Sequence, residues 1–358
     1  MVEKRRKTKI IAHRGASSYI PEHSVAAYSV AVNLGADYIE PDLVLSSDGI
    51  FFALHDLLLD GVTDISQHPE FSDRLTSKIV EGKTYTGYFV SDFLSTELKT
   101  LRLRQRLPNT RSTLFDGLLE IPTFTEIIDA HKEFQSRSGR IIGMYIELKH
   151  PIYYKSLGYS MEDMILKSLS NTDYPVLGIS SDLSKSVAPI VIQCFTPETL
   201  IYLRSKCDLP LVQLLGLSGT QTVDDVWNAQ NLDVIMGYAN GVGPPTAFFS
   251  NNVIDFKTAS YMALQATERK LVVHPYVIKS DVEMSGNSTR ENLFFICCLE
   301  FDGIFTDYTD RTKLAVELTY HNPSICENIC PEKFASDQLT TYITLLVTLL
   351  IIFIAIKK

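Results

Sequence analysis

Between residues 7 and 320 the chain alternates two hydrophobic rhythms, and that alternation limits the possible folds more than any other feature. Short β-branched runs at 9–12, 38–45, 141–147, 191–195, 209–215, 234–236, 271–273 and 303–305 read as buried strands. Apolar residues three and four apart at 24–34, 123–133, 161–169, 197–206, 223–228, 257–267, 291–299 and 309–320 read as amphipathic helices. Eight strands each followed by a helix predict an α/β fold, a (β/α)8 or TIM barrel, with a doubly wound sheet as the alternative. Residues 56–121 break the rhythm after the second unit. A compact domain does not leave so long a stretch structureless, so it reads as an insertion packed over one end of the barrel. The expected layout is a basic leader at 1–8, a barrel at 9–320, a linker at 321–338 and a final apolar helix.

That last segment, 339–356, has eighteen positions without a charge and is followed by Lys357 and Lys358. As a helix it would extend roughly 27 Å, enough for a transmembrane span. No apolar leader opens the chain, so the expectation is a single-pass C-terminal tail anchor with the catalytic body in the cytosol. The formal charge of −9 is unevenly spread. Residues 1–9 net +4 and the last two add +2, which leaves near −15 on the body. Nucleic acid is excluded as a partner by so acidic a surface. Six cysteines are too few for a disulfide scaffold in 358 residues. Four read as core positions, and Cys326 and Cys330 read as a free pair.

Ionisable residues recur at the C-terminal ends of the predicted strands, the face on which barrel enzymes carry their sites. His13 and Arg14 end the first strand, Glu40 and Asp42 the second, and Glu147 and Lys149 the third; His55 follows a short extra strand at 50–54, and His274 ends the seventh. Glu40 and Asp42 are two apart and so point the same way. Two acids in an apolar run, joined by Glu147, repel one another unless a cation neutralises them. An all-oxygen set suits a hard divalent ion, Mg²⁺ or Ca²⁺. His13 and His55 then read as the proton-handling pair, and Arg14 and Lys149 as contacts for an anionic phosphate oxygen. Together these residues point to phosphoryl chemistry. His23, His68, His131, His150 and His321 read as ordinary core or surface histidines.

The motifs Ile11-Ala12-His13-Arg14-Gly15-Ala16, Pro21-Glu22-His23-Ser24, Tyr38-Ile39-Glu40-Pro41-Asp42-Leu43 and Leu54-His55-Asp56 resemble the opening of glycerophosphodiester phosphodiesterases. Ile146-Glu147-Leu148-Lys149, Val273-His274-Pro275-Tyr276 and Asp302-Gly303-Ile304-Phe305-Thr306-Asp307 continue the likeness in order. The insertion and the His-Pro-Tyr segment are similar to the bacterial periplasmic branch. The resemblance implies hydrolysis of small-molecule glycerophosphodiesters, such as glycerophosphocholine, to glycerol 3-phosphate and an alcohol. It implies His13 and His55 as the acid/base pair, Glu40, Asp42 and Glu147 as metal ligands, and Arg14 and Lys149 on the phosphate. Phe195, His274 and Tyr276 would line the glycerol or headgroup pocket, and Gly15 would let the backbone approach the substrate. Gln193-Cys194-Phe195 stands where the family often has Ser before Phe, so Cys194 is a departure. The alternatives are a phospholipase D-like lyase acting on choline phospholipids and an inactive, membrane-tethered lipid-binding protein.

Overall fold

The computed structural model describes residues 7–171, 189–249, 256–279, 281 and 288–330. In chain order its strands are β1 (Lys9–His13), β2 (Tyr38–Glu40), β3 (Asp42–Leu45), β4 (Phe51–Ala53), β5 (Thr76–Val80), β6 (Lys83–Gly87), β7 (Gly143–Leu148), β8 (Ile190–Cys194), β9 (Leu211–Leu214), β10 (Gly241–Gly243), β11 (Val272–Val273) and β12 (Gly303–Thr306). Parallel pairing runs β11-β10-β9-β8-β7-β2-β1-β12. The chain just past β11 closes the ring onto β12, Phe305 N donating to Pro275 O at 3.1 Å and Ile278 N to Phe305 O at 2.9 Å. The result is a nearly closed eight-stranded barrel with helices outside, the predicted fold class.

Two cores separate inside from outside. Ile11, Tyr38, Tyr145, Val191, Val212 and Phe305 pack together within the barrel. The outward-facing strand residues pack with the helices into a much larger cluster. Side chains alternate along a strand, so the residue two beyond each interior position faces the same lumen one layer higher. Counting two on from Ile11, Tyr38, Tyr145, Val191 and Phe305 gives His13, Glu40, Glu147, Gln193 and Asp307. The interior packing therefore aims a polar layer at the C-terminal mouth.

Two departures from the expected strands have clear causes. The single run at 38–45 divides at Pro41, which has no N–H for the ladder; its carbonyl accepts from Glu147 N at 2.9 Å, and β3 pairs with both β7 and β4. Residues 234–236 are not a strand. They end the helix Ala229–Ile235, begun by Asn228 accepting from Asn231 N at 2.9 Å, and the strand is instead Gly241-Val242-Gly243. A Cβ on Gly241 would lie 2.4 Å from the Val272 side chain and 2.7 Å from Val272 O, so close packing overrides propensity there.

Segment 56–121 is well structured. It carries the antiparallel hairpin β5–β6, short 3-10 turns and the turn of helix Ser95–Leu98. Phe71, Phe89, Phe93, Leu98, Leu101 and Leu103 bury it against the outer core.

The tail-anchor expectation is corrected. Among the described residues no helix is long and apolar enough to cross a membrane, and residues 339–356, on which that expectation rested, lie outside the described residues. The longest described helix, Phe124–Ser138, has 15 residues, roughly 22 Å against a hydrocarbon core of about 30 Å. One face of it is buried on the barrel and the other is polar. The free-thiol reading of Cys326 and Cys330 is also corrected. Cys297 pairs with Cys326 and Cys298 with Cys330, at Cα separations of 5.0 and 5.6 Å, tying the helix Ser324–Ile329 to the π-helical turn Phe294–Cys298. Cys194 and Cys207 are free and buried.

Candidate active site

Strand register assembles the site. His13 stands beside Glu40 across β1 and β2, Asp42 beside Glu147 across β3 and β7, and Glu147 beside Gln193 across β7 and β8. Glu40, Asp42 and Glu147 each offer an oxygen within 4.8 Å of the other two, and all three are buried. Glu40 accepts from Arg14 N at 2.8 Å and from Gln193 Nε2 at 3.0 Å. Asp42 Oδ2 accepts from His23 Nε2 at 3.0 Å, while Asp42 Oδ1 is buried with no hydrogen-bond partner. Lys149 Nζ lies 2.8 Å from Glu147 Oε1.

Burial and mutual repulsion drive these carboxyls apart in acidity. Burial and then Asp42 and Glu147 push Glu40 well above the usual carboxylate range, and burial with Asp42 raises Glu147 to about 8. Asp42 is held well below that range: burial opposes ionisation, but Lys149 and His23 outweigh it. Three buried acids around an unpartnered oxygen form a poor protein site without a cation and a good oxygen cage with one. The residues fit a hard divalent ion.

Both imidazoles stand at this rim: His13 is in register with Glu40, and His55 lines one cavity with Glu147 and Lys149. His13 Nδ1–H donates to Asp307 Oδ1 at 2.6 Å, and His55 Nδ1–H donates to Asp56 Oδ1 at 2.5 Å. A carboxylate only accepts, so each ring carries its proton on Nδ1 and leaves Nε2 for exchange. Burial and Arg14 lower the His13 pKa; burial, Lys149 and Arg14 lower His55 to about 3. Both rings are therefore neutral at neutral pH in the absence of substrate.

Behind the two aspartates stand two arginines of segment 56–121. Arg106 Nη1 donates to Asp56 Oδ2 at 2.6 Å and its Nε and Nη2 grip Glu22 at 2.8 and 2.7 Å; Glu22 also accepts from Arg14 Nη1 at 3.0 Å. Arg111 Nη2 donates to Asp307 Oδ2 at 2.6 Å, and the same guanidinium holds Asp281 at 2.5 and 3.0 Å.

Of the residues expected at the site, His13, Arg14, Glu40, Asp42, His55, Glu147 and Lys149 converge on this mouth, and Phe195 stands half-exposed beside it. Tyr276 meets Phe195 edge-on at 6.0 Å and donates its hydroxyl to Leu215 O at 2.6 Å. His274 belongs to the layer below: it is buried, accepts from Tyr145 Oη at 2.9 Å and packs against Gly303. Gly15, expected to admit the substrate, instead admits the helix Val25–Asn33. Its φ is +83° and a Cβ there would sit 2.7 Å from Ala27 C. His23 is more than an ordinary core histidine, since it orients Asp42 and accepts from Tyr28 Oη at 2.9 Å. Glu22, His23 and Asp307 lie in quoted motifs, and Asp56 adjoins His55. Arg106 and Arg111 carried no sequence signal.

A family model described as the glycerophosphoryl diester phosphodiesterase family matches residues 13–311. The chain is 32% identical over 316 residues to glycerophosphodiester phosphodiesterase GDPD6 of Arabidopsis thaliana, covering 84% of this chain and 83% of the plant protein. It is 27% identical over 338 residues to glycerophosphodiester phosphodiesterase of Haemophilus influenzae, covering 84% and 87%. Among solved structures, a glycerophosphoryl diester phosphodiesterase of Silicibacter pomeroyi, described as putative, superposes with TM-score 0.62 at 17% identity, covering 88% of this chain and 95% of that one. An Oleispira antarctica phosphodiesterase in complex with the product sn-glycerol 3-phosphate superposes with TM-score 0.59 at 18% identity, covering 86% and 96%. At those identities the superpositions speak for the fold.

Proposed function

Because the chain belongs to the glycerophosphoryl diester phosphodiesterase family, we propose that His13 and His55 exchange the reaction's protons while Glu40, Asp42 and Glu147 hold its metal ion. The enzyme hydrolyses glycerophosphodiesters to glycerol 3-phosphate and an alcohol and depends on a divalent cation. The catalytic unit is residues 9–320, with 56–121 as its insertion.

The observation that carries the residue assignment is the three-carboxylate cluster within 4.8 Å beside two imidazoles, each with its Nδ1 committed to an aspartate. Bound there, a divalent ion supplies positive charge to the phosphate oxygens; the oxygen-only donors favour Mg²⁺ or Ca²⁺. Lys149 and Arg14 bring further positive charge to the same mouth. One imidazole takes a proton from the attacking oxygen through Nε2, and the other delivers one to the departing alcohol. The imidazole that acts as acid must enter the step protonated, and the aspartate that accepts its Nδ1–H stabilises that imidazolium.

The test is glycerol 3-phosphate release from glycerophosphocholine by the purified full chain, before and after chelation and with Mg²⁺ or Ca²⁺ restored. Activity that is lost on chelation and regained with one of these ions is expected. Absence of glycerol 3-phosphate under every condition would overturn the reading.

A further inference from the structure

A cavity of about 580 Å³ opens on the His55 side of the site. His55, Glu147 and Lys149 line it, and His13 does not. Its outer wall comes largely from segment 56–121: Asp60 from the chain before the hairpin, Glu81 from the hairpin turn and Tyr85 from β6. Phe195 and His150 stand opposite. The cavity is thus continuous with the reacting groups but walled by elements outside the barrel.

Its wall has a definite chemistry. Asp60 Oδ2 accepts only the backbone N–H of Tyr88, at 2.9 Å, and among the described residues Asp60 has no ion-pair partner. A Cβ on Gly87 would lie 2.5 Å from that oxygen, so the glycine lets the carboxylate lie against the hairpin. Glu81 stands 3.5 Å from His150 Nδ1. Burial lowers the His150 pKa, so near neutral pH its ring does not balance the Glu81 charge. The cation within the cavity, Lys149, is held by Glu147 at its floor. Phe195, 44% exposed, lines the space with the Lys149 ammonium 5.9 Å from its ring centroid, which leaves the rest of its exposed surface to the cavity. Carboxylates with spare charge beside aromatic rings suit an ammonium group, quaternary or primary. An anionic headgroup would be repelled, and a neutral polyol would leave the charge uncompensated.

Resting on the phosphodiesterase reading above, we propose that this cavity takes the alcohol half of the diester and that Asp60, Glu81, Tyr85 and Phe195 select an ammonium-bearing alcohol. His55 is then the imidazole nearer the departing oxygen.

The test compares kcat/KM of the metal-loaded full chain for glycerophosphocholine, glycerophosphoethanolamine, glycerophosphoglycerol and glycerophosphoinositol at low salt. The two cationic diesters are expected to be favoured by about 10-fold or more, a preference that shrinks as salt is added. The double variant Asp60→Asn, Glu81→Gln is expected to lose about 10-fold more on the cationic substrates than on glycerophosphoglycerol. Free choline should inhibit competitively, and more strongly than free glycerol; this arm needs no variant. Equal wild-type rates on all four diesters, or a variant that slows all four alike, would overturn the proposal while leaving the phosphodiesterase reading intact. Turnover of none of them would overturn both.

Discussion

Arg106 and Asp56 are joined by a 2.6 Å hydrogen bond, and through it a residue of segment 56–121 fixes the carboxylate that orients His55. Arg111 and Asp307 repeat the arrangement behind His13. The segment that covers the barrel mouth therefore braces both imidazoles. Arg106→Ala and Arg111→Ala are each expected to lower kcat by about 10- to 100-fold, with a smaller change in KM. Steady-state kinetics beside circular dichroism would check this.

His13→Ala and His55→Ala should each cost about 10²-fold or more in kcat/KM while leaving the fold in place. Asp307→Asn tests the tautomer argument separately. An amide in place of the carboxylate no longer dictates which His13 nitrogen carries the proton, so the rate should fall with His13 still present. Turnover of glycerophosphocholine reads each variant.

The carboxylate cluster is expected to trade stability for function. Without metal, Glu40→Gln removes one of three repelling acids and should leave the chelated protein at least as stable as wild type. With metal, the wild type gains a ligand-dependent rise in Tm that the variant largely loses, along with its activity. Thermal melts with and without chelator measure both.

Acid should weaken the protein through its buried histidines. Burial lowers His131 to about 4, as it does His274. The unfolded chain takes up those protons near pH 6.5 and the folded chain refuses them until lower pH. Stability is therefore whole above about pH 6.5 and drains as pH falls toward 4. His131 Nε2–H donates to Ile142 O at 2.9 Å, just before the start of β7 and so at the opposite end of that strand from Glu147. His131→Gln keeps an N–H donor and should flatten the pH slope of the unfolding free energy, read from urea melts, by up to about 1.4 kcal/mol per pH unit, without altering kcat.

The disulfides close loops of 29 and 32 residues. In the chain-entropy model either alone is worth about 3–4 kcal/mol. They join neighbouring residues to one short helix, so the second adds much less than the first. Cys326→Ser or Cys330→Ser alone should thus be mild and the double variant severe. Urea unfolding, with non-reducing peptide mapping to confirm the pairing, would check it.

The barrel was legible because its strands are buried on both faces and its helices on one, leaving two distinct periodicities in the sequence. It was least legible where packing overrides propensity. β10 is Gly-Val-Gly because the neighbouring Val272 leaves no room at Gly241, and no propensity scale reads that as a strand. His13, Glu40, Asp42, His55 and Glu147 stood out because each is an ionisable residue at the end of an apolar run. Arg106 and Arg111 sit in a polar stretch where an arginine is unremarkable, and nothing local marks which acid each will meet.

Local order alone determined most of the barrel strands, which end of those strands carries polar groups, and that Glu40 and Asp42 point the same way, since these follow from side-chain alternation over a few residues. Tertiary structure decided what no local pattern encodes: Asp307 beside His13 across 294 positions, Arg111 beside Asp307 across 196, Cys297 bonded to Cys326, and a hairpin turn that brings Glu81 to the mouth. Such pairings depend on how the ring closes and how the inserted segment folds over it, and those outcomes are set by the packing of the whole chain.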